Sequence, residues 1–93
     1  MDALQFEGRI RYWKSEQTRG LAVVDVPAAV AVALGGLKQQ RVRGTIGSAE
    51  FVSSVMPAGG GRLALSVSKA MMTSAGLAVG DAAEITITGV GRE

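Results

Sequence analysis

The sequence predicts a mainly β fold: six or more short strands and two short helices, closed or nearly closed into one small barrel with an internal duplication. Three observations lead there. The chain nearly repeats itself: shifted by 41 positions, Val24, Val26, Val30, Gly35, Val42, Gly44 and Ile46 fall on Leu65, Val67, Met71, Gly76, Ala83, Ile85 and Ile87. Shifted by 45, Leu4, Phe6, Gly8 and Ile10 fall on Ala49, Phe51, Ser53 and Val55. A repeated unit usually cannot bury its apolar face alone, so units at about 4–46 and 49–88 facing each other give one core with pseudo-twofold symmetry. Apolar residues also alternate with period two over much of the chain, the pattern of half-buried strands. Finally, 93 residues, nearly half of them apolar, form a single domain 1–93 with a real but small core. Closing the sheet removes strand edges that invite aggregation.

Each element follows from local chemistry. Leu4, Phe6, Gly8, Ile10 and Tyr12 alternate with Gln5, Glu7, Arg9, Arg11 and Trp13, which makes a strand. Lys14 to Gly20 is polar and ends in glycine, a loop, and Leu21 to Val26 is a short apolar strand. Pro27 opens a helix, because its missing N–H has no partner in the first turn anyway. The helix runs through Ala28 to Leu34 and stops at Gly35-Gly36. It is apolar on all sides, as expected of a buried helix or one that plugs an opening. Val42, Gly44 and Ile46 alternate with Arg41, Arg43 and Thr45 in the third strand. The second unit keeps the order: a strand Glu50 to Met56, a turn Pro57 to Gly61, a strand through Leu63, Leu65 and Val67. Ser68 is placed to cap a helix Lys69 to Ala75, which Gly76 ends. After a turn at Gly80-Asp81, Ala83, Ile85 and Ile87 mark the last strand, and Gly89 to Glu93 is a tail.

Composition removes whole classes of chemistry. The chain has no cysteine and no histidine, so thiol nucleophiles, disulfides and every histidine-activated serine are excluded. The eight acids show no spacing typical of a metal-binding loop, and no metal or cofactor is expected. Ser53, Ser54, Ser66 and Ser68 lack an activating base, so no catalytic residue is assigned and the protein is read as not an enzyme. The N-terminus lacks a basic stretch followed by an apolar run, and Val26 to Leu34 is far too short to span a bilayer. The expectation is a soluble, bacterial-type cytoplasmic protein with no membrane partner.

Charge is more telling in distribution than in sum. Net charge is +2, but residues 1–46 hold seven bases against four acids and residues 47–93 three bases against four acids. Arg9, Arg11, Arg41 and Arg43 lie on the outward phase of their strands; if those strands pair, they make one basic face with Trp13 and Arg19 nearby. A basic face with an aromatic can engage nucleic acid, though the total charge is far below the usual footprint of a DNA-binding domain. Trp13, out of phase with Phe6, Ile10 and Tyr12, is expected partly exposed at a loop mouth, where an aromatic can anchor a partner. Arg62 joins the candidate binding residues. So does the loop Pro57, Gly59, Gly60 and Gly61, which lacks the Lys-Ser/Thr of a phosphate loop and reads as a flexible hairpin.

The segment Leu65 to Asp81, with its strand, serine-started helix, Gly76 and Gly80-Asp81 before an alternating strand, resembles the AbrB/MazE-type DNA-binding fold. The first unit keeps Val24-Asp25-Val26-Pro27 and Leu34-Gly35 but has Gln39-Gln40 in place of Gly-Asp. Over about residues 4–88 the chain resembles a small bacterial family, domain of unknown function 1905. The match rests on Phe6, Val26-Pro27, Leu34-Gly35, Val42-Arg43-Gly44-Thr45-Ile46, Phe51, Ser53-Ser54, Gly59-Gly60-Gly61, Lys69-Ala70, Gly76 and Gly80-Asp81. The resemblance implies a double-split β-barrel (a pseudo-barrel), one chain supplying both halves of what AbrB-type proteins build as a homodimer.

Two functional readings come out of this. The first is a non-catalytic binding or interaction module, a rigid barrel whose loops contact an unidentified protein or small ligand. The second, resting on fold analogy alone, is an AbrB-like DNA-binding transcriptional regulator in which the arginines of the first half contact nucleic acid. The first is favoured, with the chain a monomer or weak homo-oligomer.

Overall fold

A computed structural model describes residues 3–14 and 20–90. Six antiparallel strands and two helices follow in the order β1 (Leu4–Tyr12), β2 (Ala22–Val26), α1 (Ala28–Ala33), β3 (Gln40–Ile46), β4 (Ala49–Gly59), β5 (Arg62–Val67), α2 (Lys69–Ala75) and β6 (Ala82–Gly89). The strands close into a barrel in the order β1-β2-β5-β4-β3-β6. The mainly β closed barrel with two short helices expected from the alternation is therefore what forms.

The alternating residues point where their phase predicts. Ile10, Val24, Val26, Val42, Ile46, Phe51, Val55, Leu63, Leu65, Val67, Ala83, Ile85 and Ile87 are buried in one apolar, mostly aliphatic cluster. The register brings Ile10 opposite Val24 on one side and Val55 opposite Leu65 on the other. Phe6 lies opposite Ile85, and Phe51 opposite Gly44. Gly44 faces Ile87 across the β3–β6 seam, and a methyl group there would overlap the Thr86 carbonyl oxygen. The two strands approach closely at that point because residue 44 has no side chain.

Both helices begin and end as their local residues dictate. α1 starts after Pro27 with no side-chain cap. α2 starts at Ser68, whose hydroxyl accepts from the Met71 N–H at 3.1 Å. At the far end of α1, Gly35 N–H donates to Val32 O and Gly36 N–H to Ala31 O. Forty-one positions on, Gly76 N–H donates to Thr73 O and Leu77 N–H to Met72 O. This paired arrangement terminates a helix where a residue takes the left-handed conformation; Gly35 (φ 109°) and Gly76 (φ 71°) do so.

Three expectations need correction. The stretch Pro57 to Gly61 is not all turn: β4 runs on to Gly59, with a register shift between Pro57 and Gly59, and only Gly60-Gly61 reverses the chain. A bulge is one of the few sheet positions that accept proline, and positive φ at Gly59, Gly60 and Gly61 supplies the tight return. Gly89, expected to open the tail, still belongs to β6 and pairs with Val42, while residues 91–93 of that expectation lie outside the described residues. Finally, α1 is not covered on every side. Val30 and Ala31 are buried, but Ala28, Ala29, Val32 and Ala33 are exposed. Fewer than two turns of helix laid on a barrel present only one face to it.

Candidate functional site

Strands β1 and β3 do not pair; β6 lies between them. The single basic face conditional on their pairing therefore does not form. Arg9 lies opposite Ala82 and Arg43 opposite Thr88, six positions apart on β6, or about 20 Å along that strand. Arg43 instead lines a wide, open hollow with Gly44, Thr45, Glu50, Phe51, Val52 and Thr88. Arg41 is exposed at the start of β3, where its carbonyl accepts from the Val90 N–H. Arg19 lies outside the described residues.

The tertiary structure gathers a different subset. Arg9, Arg11, Arg62 and Gly61 meet at a cleft of about 490 Å³ between β1, the start of α1 and the β4–β5 hairpin. Its wall is completed by Glu7, Gly8, Asp25, Val26, Pro27, Ala28 and Ala31. Its size lies within the range of small-ligand pockets. Pro57, Gly59 and Gly60 belong to the same hairpin but do not line the cleft. Trp13 is half-buried beyond the end of β1; its backbone N–H donates to Leu21 O, and its own carbonyl accepts from Arg11.

Within the cleft, Arg11 is committed to the fold. Its Nε and Nη2 donate to the two oxygens of Asp25 at 3.0 and 2.8 Å, and its Nη1 donates to the carbonyls of Tyr12 and Trp13. Arg11 lies opposite Val23, so Asp25 is its diagonal neighbour on the same face, within reach of a long side chain. The forked hydrogen bond holds the Asp25 carboxyl below the ordinary carboxylate range, against a smaller opposing effect of desolvation, with the charges of Arg11 and Arg62 adding to it. The same bond raises the Arg11 guanidinium further.

The remaining charges set the cleft's character. Arg9 donates one bond to the Gly80 carbonyl at 2.6 Å. The Arg62 side chain at the hairpin makes no hydrogen bond or ion pair among the described residues. Glu7 lies opposite another carboxylate, Glu84. With Arg11 and Asp25 neutralising each other, Arg9, Arg62 and Glu7 leave one net positive charge over a largely apolar floor. Among the described residues no group of three or more acids forms a metal cage, and no helix is long and apolar enough to cross a membrane.

Sequence reasoning singled out the arginines but missed Asp25. The available signal was an acid alone in an apolar strand, directly before Val26-Pro27. It becomes legible only once the β1–β2 register is known. The turn reading of Gly80-Asp81 is met: the Ala78 N–H donates to the Asp81 carboxylate at 2.9 Å, which closes a local turn.

Fold and cleft define a small closed antiparallel barrel that carries a shallow, positively charged, largely apolar cleft beside its first helix. A model of the family described as Domain of unknown function (DUF1905) matches residues 6–87, and the chain belongs to that family. No curated protein matches the chain.

Proposed function

We propose that this protein is a non-catalytic binding module that takes an anionic group with an aliphatic body in the α1 cleft. The observation that carries the reading is the convergence of Arg9 and Arg62 over the floor of Val26, Pro27, Ala28 and Ala31. Guanidinium groups are suited to carboxylate and phosphate oxygens, and the aliphatic floor favours a ligand with apolar carbons. Arg11 is spent on Asp25 and serves to hold the wall in place. Two partly solvated cations support weak, millimolar binding of a small anion. The test is a titration with sodium hexanoate and, separately, inorganic phosphate, followed by amide and arginine side-chain NMR signals. Shifts at Arg9, Arg62, Gly61 and Ala28, lost in Arg9→Ala/Arg62→Ala, are expected. No shift at these positions with either anion overturns the reading.

We also infer that the barrel is an internal duplication of the double-split kind suggested by the AbrB/MazE resemblance. Mapping β1 onto β4 by 45 positions, and β2 and β3 onto β5 and β6 by 41, returns the same cyclic strand order. It also carries Ile10–Val24 onto Val55–Leu65, and Leu4–Ile87 onto Ala49–Ile46. The helix-ending hydrogen bonds repeat at the same offset. These coincidences support two copies related by a pseudo-twofold axis. The DNA-binding alternative draws support from the arginine content of the first half, but β6 divides those arginines into two groups. Salt-dependent binding of mixed duplex DNA that needs both Arg9 and Arg43 would replace the small-anion reading.

A further inference from the structure

The two helices occupy equivalent places but present different outer faces. On α1 the exposed residues are Ala28, Ala29, Val32 and Ala33; 41 positions on, α2 exposes Lys69, Ala70, Thr73 and Ser74. Val32 is 74% exposed and Leu37, just past the helix, 52%. A helix position that is solvated by Lys, Thr and Ser in one unit is aliphatic in the other. Such a face lacks the polar side chains that normally cover a surface helix.

Charge around this face identifies what fits it. Arg9 and Arg62 stand at its N-terminal end with Glu7, in the cleft that Pro27 and Ala28 line, and leave that end one net positive charge. The Lys38 side chain lies against Gly35 at the other end, its Nζ 3.7 Å from where a Cβ on that glycine would sit. From Val26 to Ala49 the chain has Lys38, Arg41 and Arg43 and not one acid. A second copy of the chain would bring like charges together at both ends. A six-residue helix, about 9 Å long, also offers much less than the roughly 800 Å² per partner of a stable dimer.

We propose that the outer face of α1 docks a short acidic segment of another protein. Its aliphatic side chains would lie on Ala29, Val32 and Leu37, and its carboxylates would reach Arg9 and Arg62 at one end and Lys38 at the other. This rests on the reading of the cleft as an anion site and names the source of the anion. Electrostatic complementarity of this kind sets specificity and encounter rate, while the aliphatic contact supplies the anchor.

The experiment is selection of a random-peptide display library on the immobilised protein, with affinities of enriched peptides measured by fluorescence anisotropy. The comparison protein is Val32→Thr/Ala33→Ser, which places α2's own residues on α1. Circular dichroism checks that it folds. Enriched peptides should combine aliphatic residues with Asp or Glu on both flanks. They should bind at least tenfold more weakly to the double variant and weaken again in Lys38→Glu. Enrichment of peptides without acids, affinities unchanged in the double variant, or no enrichment would each overturn the proposal. So would concentration-dependent dimerisation on sedimentation that the double variant abolishes. Hexanoate titration of the double variant separates the two readings: shifts at Arg9 and Arg62 retained without peptide binding leave the cleft standing and remove the docking surface.

Discussion

Under the proposed duplication, positions around α1 and α2 correspond one to one, and they carry different chemistry. Beside α1 the outward positions are Arg9, Arg11 and Asp25; the matching positions beside α2 are Ser54, Met56 and Ser66. The inward positions do not diverge in this way: Ile10, Val24 and Val26 correspond to Val55, Leu65 and Val67, all buried. A core position is held to an aliphatic side chain of about the right volume because interiors are close-packed. An outward position meets water and is free to acquire charge. On that proposal a function confined to one unit would be carried by its outward residues, of which Arg9, Arg11 and Asp25 line the α1 cleft.

One inward position departs from that pattern: Gly44, at the β3–β6 seam, corresponds to Ile85 at the offset of 41. Gly44→Ala is expected to destabilise the barrel by about 3 kcal/mol or to prevent folding, since the added methyl meets backbone rather than a movable side chain. Urea unfolding followed by circular dichroism measures this; a loss under 1 kcal/mol would mean the seam is looser than described. Next, Leu65→Ala at the β2–β5 contact, opposite Val24, should cost about 3 kcal/mol. Val24→Ala at the matching position should cost less, because fewer buried carbons are removed. Equal losses would show that the two sides of that contact are packed alike.

The helix starts give a smaller contrast. Ser68→Ala removes the cap of α2 and should cost about 1 kcal/mol, whereas Pro27→Ala at the start of α1 removes no side-chain bond. Thermal unfolding of the two variants would show the asymmetry, and a larger effect at Pro27 would contradict it. The smallest effect is at Asp25, whose counterpart is Ser66. Its ion pair with Arg11 is over a third exposed, so Asp25→Ser should cost about 0.5 kcal/mol at neutral pH. The Asp25 pKa is depressed in the fold, so its contribution is present above the unfolded value, about 4. It is lost as pH falls through the lower folded value. Wild type and Asp25→Ser should therefore converge in stability in strong acid. A gap that persists at low pH would point to packing instead of charge.

Much of the barrel could be read from the chain. The phase of Leu4 to Ile10, the stop at Gly35-Gly36 and the cap at Ser68 depend on neighbours a few residues away. The errors arose where distant segments decide. Pro57 reads as a turn by itself, but the ladder with Leu63 keeps it in β4 by way of a bulge. The apolar face of α1 reads as buried, but the barrel covers only one side of it. Of the candidate binding residues, Arg9, Arg11, Arg62 and Gly61 do converge. Arg41 and Arg43 are carried away by β6, a strand more than forty residues further along the chain.

Strand phase, helix ends and the aliphatic interior are properties of short stretches, because side-chain alternation, capping and glycine's left-handed angles act over one or two turns of chain. That is why the residues alone specify them. The joining of Asp25 to Arg11, the gathering of Arg9 and Arg62 at one cleft and the separation of Arg9 from Arg43 depend on which strands lie side by side. That order minimises the free energy of the closed barrel as a whole, and no local stretch of residues encodes it.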